Sequence, residues 1–334
     1  MGNCRNAIEE LVIAEAETQV QRLGAQARER VDLSEVIAYA LNRLPPMYAT
    51  TQRGWTQQRQ RASSELANQI SAVVRNGLLG VQRDTLRQLD PLPNHELTSQ
   101  TRTLVRLQQL LKRTDLKWKD VPGAVNEALM DVRYQGSLGS SYLSLDRRNA
   151  VSAKSYLKRK TTRETAFVRT PMATSEDQDF ESYMSGTAYR YSNILENLVT
   201  AIAERRMERL SPELQAQINL DEVLAYALNR LPPMYATSSR GLKQLRQQVK
   251  TEMTNEVMSI VKQAFVKIAQ APARVLSPLP FEKFNLEQDE SLEKLKLILK
   301  RDDVTWRNVV ELIEEAILQK ATTPTNIWTG DHIP

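Results

Sequence analysis

The chain has 334 residues, 41% of them hydrophobic and only 11 of them Gly, so it is long enough for two ordinary domains with a core in each. Its 45 Lys and Arg against 40 Asp and Glu give a net charge of +5, which permits phosphate-bearing partners without demanding them. One cysteine, Cys4, excludes an intrachain disulfide and a cysteine-based zinc site, and no apolar run approaches the ~18 residues of a membrane span. We therefore expect an all-α, cytoplasmic protein that holds no metal and needs no cofactor.

An internal duplication organises the sequence. Ala38–Thr50 returns without a change as Ala225–Thr237. In the wider comparison of Val31–Thr50 with Ile218–Thr237, four of twenty positions differ, all of them mildly. We therefore interpret the chain as two homologous helical domains, which can pair about a pseudo-two-fold axis inside one molecule.

The first helix of each copy is indicated by apolar residues at spacings of three and four, which places them on one helical face. It is predicted to run from Asn6 to Leu23, and the same stripe returns 187 residues later. The stripe consists of Ile8, Leu11, Val12, Ala16, Val20 and Leu23 in the first copy and of Leu195, Leu198, Val199, Ala203, Met207 and Leu210 in the second.

The second helix has its own start and stop signals. Asp32 can cap the first turn, and Glu35 three residues later completes a capping box. Leu44 is the predicted last residue, because Pro45 disfavours helical dihedrals for the residue before it and Pro46 extends the restriction. The helical period gives this helix an apolar arc and, beside it, a polar and aromatic arc.

The rest of each copy is predicted to be helical as well. A short loop, Met47–Gly54, leads into one long third helix, and a Pro-rich break precedes two shorter helices, so each copy has about five helices. The predicted divisions are a first helical domain at 1–133, a polar and largely mobile linker at 134–191, a second helical domain at 192–321 and a tail at 322–334.

The tryptophans are predicted to pack rather than to recognise a ligand. Trp55 has Leu242 as its counterpart, so the duplication does not keep an aromatic ring there. Trp118 and Trp306 stand at matching loop-to-helix junctions, and we expect both in the core.

The duplicated stretch resembles a known family. Glu35–Thr50 and Glu222–Thr237 are similar to the signature of the ComFB family, the late competence development proteins, and Asn6–Val12 and Asn193–Val199 resemble the opening of its domain. The resemblance implies small, all-helical, cytosolic domains that dimerise, and receptors for cyclic dinucleotides, chiefly cyclic di-GMP, as described for cyanobacterial members. Some relatives carry cysteine clusters that bind zinc, and this chain has none.

A cyclic dinucleotide presents two bases, two phosphates and a two-fold axis, and the motif carries side chains suited to each. Tyrosine rings can stack on bases, arginines can fork onto a guanine edge or a phosphate, and hydroxyl and amide groups can hydrogen-bond. The ligand-binding candidates are Tyr39, Asn42, Arg43, Tyr48, Thr50, Thr51 and Arg53 in the first copy and Tyr226, Asn229, Arg230, Tyr235, Thr237, Ser238 and Arg240 in the second. We expect them on an exposed half of the motif that folding does not require.

Plainer roles remain open for some of these residues. Tyr39 and Tyr226 can close the edge of the core, while Asn42 and Arg43 can brace the proline corner by binding free carbonyls at the helix end. The alternative function is a protein-interaction or nucleic-acid-binding scaffold in which the motif forms the seam between the domains. Its basic face would consist of Arg53, Arg59, Arg61, Arg75, Arg240, Lys243, Arg246 and Lys250.

Catalysis has little support in the sequence. His95 and His332 are the only histidines, and His95 corresponds to Glu282, so the copies share none. No glycine-rich phosphate loop or nucleophile motif is visible. We therefore predict a non-enzymatic receptor whose partners are a cyclic dinucleotide and a downstream protein, with no membrane and with nucleic acid as the lesser alternative; further homodimerisation stays open.

Overall fold

The computed structural model describes residues 4–83, 90–97, 99–135, 175–271 and 277–322. The chain divides into two compact units, the first formed by Met1–Leu97 with Ala173–Glu282 and the second by Thr98–Met172 with Lys283–Pro334. Each sequence copy contributes to both units. The predicted divisions at 1–133 and 192–321 therefore follow the duplication but not the compact units.

Helices dominate the described residues, which confirms the all-α prediction, and the same order of elements in both copies confirms the tandem arrangement. Two short antiparallel pairs are the exception: β1 (Arg5–Asn6) pairs with β2 (Tyr48–Ala49), and β3 (Ser192–Asn193) pairs with β4 (Tyr235–Ala236). In chain order the α-helices are α1 (Ile8–Gln21), α2 (Ala25–Arg30), α3 (Leu33–Leu41), α4 (Gln52–Glu65), α5 (Ala67–Arg83), α6 (Gln100–Leu110), α7 (Val121–Gln135), α8 (Ser175–Met184), α9 (Ile194–Met207), α10 (Pro212–Gln217), α11 (Leu220–Leu228), α12 (Ser239–Gln248), α13 (Thr254–Ala269), α14 (Glu282–Leu299) and α15 (Val309–Thr322).

The second helix of each copy, α3 or α11, begins as predicted and ends earlier than predicted. The Asp32 carboxylate accepts from the Ser34 amide at 2.9 Å, which confirms Asp32 as the cap. Helix α3 ends at Leu41 with Asn42 as its C-cap, so the predicted end at Leu44 is wrong by three residues. The proline rule sets only the latest possible end, and the chain already leaves the helix in a turn at Asn42 and Arg43, with Leu44 still buried at 2% exposed.

The predicted long third helix is broken in both copies. In the first copy it consists of α4 and α5, which meet at Leu66. In the second copy α12 and α13 are joined by a π-helical turn, Val249–Met253. The helix also begins earlier than predicted, inside the supposed loop, because Thr51 and Ser238 cap α4 and α12.

The segment before the second copy is not a mobile linker over its whole predicted length. Residues 136–174 lie outside the described residues, but 175–191 form α8 and a series of turns. Tyr183 is fully buried, and Tyr189 is 3% exposed with its hydroxyl donating to the Glu17 carboxylate at 2.6 Å. The Arg190 amide also donates to the Ser34 hydroxyl. We call residues 175–191 the strap, because they bind the first copy before the second copy begins.

The second unit repeats the same contacts in its two halves. The Thr103 hydroxyl donates to the Trp306 carbonyl at 2.9 Å, and the Ser291 hydroxyl donates to the Trp118 carbonyl at 2.6 Å. Trp118 is fully buried as predicted, whereas Trp306 is only partly buried and lies under the Arg307 guanidinium. The prediction of a core tryptophan is therefore right for the first of these residues and wrong for the second.

Trp55 packs as predicted. It is 5% exposed and meets Phe281 edge-to-face, with ring centroids 5.3 Å apart. Phe281 follows the Pro-rich segment of the second copy, so this contact joins the two copies within the first unit.

We expect Trp55→Ala to lower the free energy of unfolding by about 3–5 kcal/mol, the usual cost of removing a buried tryptophan. Urea denaturation followed by circular dichroism measures the change. Leu79→Ala is the matched control, because Leu79 is 44% exposed and its truncation should change stability by less than about 0.5 kcal/mol. Equal losses in the two variants would contradict the contact.

Candidate functional site

The two copies of the motif bind each other through their asparagines. The Asn42 side chain accepts from the Tyr235 amide at 2.7 Å and donates to the Tyr235 carbonyl at 2.9 Å. Asn229 makes the same two bonds, at 2.7 and 2.9 Å, to the amide and carbonyl of Tyr48. Each asparagine thus acts as the hydrogen-bonding neighbour of a strand in the other copy. These contacts and those of the two tyrosine side chains define what we call the seam.

The two tyrosine side chains of the seam are buried. Tyr48 and Tyr235 are each 4% exposed, and their hydroxyl oxygens lie 3.5 Å apart. Tyr48 donates to the Glu196 carboxylate at 2.5 Å, and Tyr235 donates to the Glu9 carboxylate at 2.6 Å. The prediction that Tyr48 and Tyr235 offer exposed faces for base stacking is therefore wrong. Asn42 and Asn229, which were also predicted to contact the ligand, use their side-chain amides for hydrogen bonds across the seam.

Asparagines of β1 and β3 also donate to these hydroxyls. Asn193 donates to the Tyr48 hydroxyl at 3.0 Å, and Asn6 donates to the Tyr235 hydroxyl at 3.2 Å. Sequence reasoning did not assign Asn6, Glu9, Asn193 and Glu196 to the site. The signal was present, because Asn-x-x-Glu recurs at the start of both copies among apolar residues.

Burial shifts the pKa of the ionisable groups at the seam. It raises the pKa of Glu9 to about 8, and repulsion from Glu196 contributes next. Burial likewise raises the pKa of Glu196 and places the pKa of both tyrosine hydroxyls well above the ordinary value. The seam tyrosines are therefore neutral hydrogen-bonding groups near neutral pH.

One arginine and one tyrosine of each copy remain at the surface as a stacked pair. The Arg43 guanidinium lies 3.5 Å from the centroid of the Tyr39 ring, and Arg230 lies 3.4 Å from that of Tyr226. Each arginine also donates to the carbonyl of its tyrosine, at 3.1 and 3.0 Å. Both arginines are exposed, and within the described part of the chain neither pairs with a carboxylate. We call these pairs the Arg–Tyr stacks.

The tyrosines of the stacks rest on the core, as the plainer interpretation allowed. A Cβ added to Gly77 would stand 3.1 Å from the Tyr39 ring and 3.3 Å from the Val36 carbonyl, so α5 approaches the ring closely. The second copy has Ala264 at this position, fully buried. Tyr39 and Tyr226 are therefore partly buried, with Gly77 making room for the first of them only.

The loop candidates are divided between structure and surface. Thr51 and Ser238 are N-caps, each accepting from a glycine amide at 3.1 Å, and they pair with Pro278 and Pro91 of the other copy. Each of these hydroxyls therefore already accepts one hydrogen bond from its own helix. Thr50 and Thr237 are partly buried, and Arg53 and Arg240 are exposed.

The supposed basic face is partly neutralised by carboxylates. Arg59 pairs with Glu10 at 3.4 Å, and Arg61 pairs with Glu65 at 2.9 Å. In the second copy Arg246 makes an ion pair with Glu96 at 2.6 Å, which lowers the pKa of Glu96 through hydrogen bonding. Acidic neighbours therefore reduce the positive charge of this face.

Two shallow grooves lie away from the motif. One of about 210 Å³ runs between α1 and α5 and includes Gln19, Arg22 and Arg75; the other, about 580 Å³, lies along α2. None of the fourteen predicted ligand residues lines either groove. Of the helices that the structure describes, none is both long and apolar enough to cross a bilayer.

The fold and seam define the class of this protein as an all-helical tandem whose two copies pair within one chain. The family model of the late competence development protein ComFB matches it twice, at residues 5–85 and 192–272. Each copy therefore contains a ComFB domain, and the chain carries two of them in tandem. No curated protein is significantly similar to the chain.

We expect Asn42→Ala to destabilise the first unit by about 2–3 kcal/mol, because it leaves a strand amide and carbonyl of the other copy without partners. Asn229→Ala should cost a similar amount. Urea denaturation measures both. Asn68→Ala, at an exposed position of α5, is the control and should change stability by less than about 0.5 kcal/mol. Wild-type stability of Asn42→Ala and Asn229→Ala would contradict the seam.

Proposed function

We propose that this protein is a non-enzymatic receptor for a cyclic dinucleotide, with cyclic di-GMP as the first ligand to test. The observation that carries the proposal is the pair of exposed Arg–Tyr stacks, one in each ComFB domain. A guanidinium already stacked on a ring loses little further freedom when it binds, and its fork suits a phosphate or a guanine edge. Two such groups suit a ligand with two bases and two phosphates.

The seam supports this proposal by fixing where the stacks lie. Arg43 directly follows Asn42, which is bonded to Tyr235, and Arg230 directly follows Asn229, which is bonded to Tyr48. The asparagines and buried tyrosines then act as the framework of the site. The ligand contacts are assigned to Tyr39, Arg43, Tyr226 and Arg230, with Arg53 and Arg240 adding positive charge.

A signalling role for the ligand would require a downstream protein that distinguishes the bound from the free receptor. The two stacks belong to one chain, so binding need not change the number of subunits. The downstream protein would then bind differently because the surface around the Arg–Tyr stacks changes when the ligand is bound.

The scaffold is the second candidate, and one observation favours it: the duplicated motif builds the seam between the copies. If the motif served only to pair the two copies, it would need no ligand. The exposed Arg43 and Arg230 are then the residues that the seam leaves unexplained, since neither contributes one of its hydrogen bonds.

Titration calorimetry with cyclic di-GMP tests the proposal. We expect binding by the wild type and a weakening of roughly 5- to 150-fold in Arg43→Ala or Arg230→Ala, the range for losing one bidentate arginine contact at about 1–3 kcal/mol. Thermal stability should be unchanged, because both side chains are exposed. Arg43→Lys should restore only part of the affinity, since it keeps the charge and loses the fork.

Arg61→Ala is the matched control, an exposed arginine on α4 that pairs within its own helix. It should bind like the wild type. Absence of heat with cyclic di-GMP and with cyclic di-AMP, together with binding of duplex or single-stranded nucleic acid that weakens steeply with salt, would favour the scaffold instead. The fitted stoichiometry separates one shared site from two independent ones.

A further inference from the structure

Four ionisable side chains form a row across the seam, with a short hydrogen bond at each end and a longer contact in the middle. The order is Glu196, Tyr48, Tyr235, Glu9, with successive oxygen distances of 2.5, 3.5 and 2.6 Å. The residues of the row alternate between the two copies, so each of the three contacts joins one copy to the other. The proposed receptor function uses none of these four side chains for ligand contact.

The number of hydrogen bonds that the row can form depends on how many protons it holds. If both carboxyl groups are ionised, each tyrosine must donate outward to its glutamate, because a phenol has one proton to donate. Asn6 and Asn193 donate to the two hydroxyls and supply no acceptor there. The two hydroxyl oxygens then face each other with no proton between them.

One added proton completes the row. With a proton on Glu9, that carboxyl donates to Tyr235, Tyr235 donates to Tyr48, and Tyr48 donates to the Glu196 carboxylate. Each hydroxyl then accepts twice and donates once, which matches its full capacity. The mirror arrangement, with the proton on Glu196, is equivalent by the pseudo-two-fold relation.

We propose that the seam is a proton-binding site, in which Glu9 and Glu196 share one proton through the hydroxyls of Tyr48 and Tyr235. The shared proton holds the two ComFB domains together, and its loss weakens the seam. This proposal does not depend on the proposed ligand.

The charges around the row are consistent with one shared proton. The positive charge of Arg5, on β1, acts on both carboxyl groups. One ionised glutamate neutralises that charge, whereas two ionised glutamates would leave a net negative charge. Its guanidinium is held by the Tyr183 carbonyl at 3.0 Å and lies 4.9 Å from the ring centroids of Tyr183 and Phe281. Burial lowers the pKa of Arg5, and the surrounding carboxylates oppose that shift.

Other ionisable groups face this region, among them Tyr191, whose ring lies edge-on to that of Tyr235 with centroids 5.8 Å apart. Glu10 acts on Glu9 from the same helix, but it pairs with Arg59 at 3.4 Å. Desolvation raises the pKa of the Cys4 thiol well above the ordinary value, and repulsion from Asp221 and Glu196 adds to the shift, so the thiol is neutral. Asp221 acts on Cys4 from α11. None of these groups supplies a second cation to the row.

The direction in which the stability changes with pH follows from the extra proton that the folded state binds. The pKa of Glu9 rises from its ordinary 4.5 to about 8 on folding, so the folded chain holds more protons than the unfolded chain between these values. The stabilisation is present in full below the ordinary pKa and is lost as pH rises through about 8. One linked proton raises the equilibrium constant of unfolding by up to about tenfold per pH unit.

Urea denaturation between about pH 5 and pH 9 tests this dependence. Glu9→Gln is the informative variant, because its amide can donate to Tyr235 and complete the row without a titrating proton. We expect its unfolding constant to lose the pH slope of the wild type and to be lower than the wild-type value above about pH 8. Glu29→Gln, at an exposed position on α2, is the matched control and should keep the wild-type slope.

An infrared measurement on the wild type keeps the proposal testable if a variant folds poorly. A protonated carboxyl has a carbonyl stretch distinct from that of a carboxylate. We expect this band at pH 7 in the folded protein, absent in Glu9→Gln and lost on raising the pH through about 8. A wild-type unfolding constant independent of pH over this range, an unchanged slope in Glu9→Gln, or absence of the band at pH 7 would each overturn the proposal. Ligand is absent throughout, so failure of the receptor proposal leaves the result intact.

Discussion

The reciprocal binding of each asparagine to the other copy's strand is the constraint on which the first unit depends. A two-residue strand such as β2 has one neighbour inside its own copy, β1, and needs a second partner for its outward backbone groups. Asn229 supplies that partner for Tyr48, and Asn42 supplies it for Tyr235. Neither ComFB domain is therefore complete alone, and pairing belongs to the fold itself.

This constraint explains why sequence periodicity predicted the elements better than the site. The helices, the Asp32 cap and the packing of Trp55 follow from spacing and local chemistry, which act within a few residues or one face. When one copy is considered alone, Asn42 and Tyr48 are residue types that commonly occur on an exposed binding surface. Their partners lie about 190 residues away in the chain, at distances in sequence that no helical period can connect.

The errors at helix ends have the same origin. The break between α4 and α5 at Leu66 occurs without a proline, so the local sequence gives no stop signal. The strap contains buried tyrosines separated by polar residues, and such a pattern has neither the strand nor the helix period. In both places packing against other elements decides the conformation, whereas the restriction that a proline imposes acts locally and can be recognised in the sequence.

Joining the two domains in one chain allows the halves of the pair to differ, which identical subunits of a symmetric dimer cannot do. The strap contacts the first copy through Tyr189 and Arg190. Its Tyr191 places its ring edge-on to that of Tyr235, with centroids 5.8 Å apart, and the corresponding residue of the first copy is Cys4. Linkage also makes pairing intramolecular and independent of protein concentration. Burying polar groups makes the association of two domains weaker than burying apolar groups does. Because the two domains are joined in one chain, they can stay paired through such a polar seam. The strength of the seam can then vary with protonation without the release of a subunit.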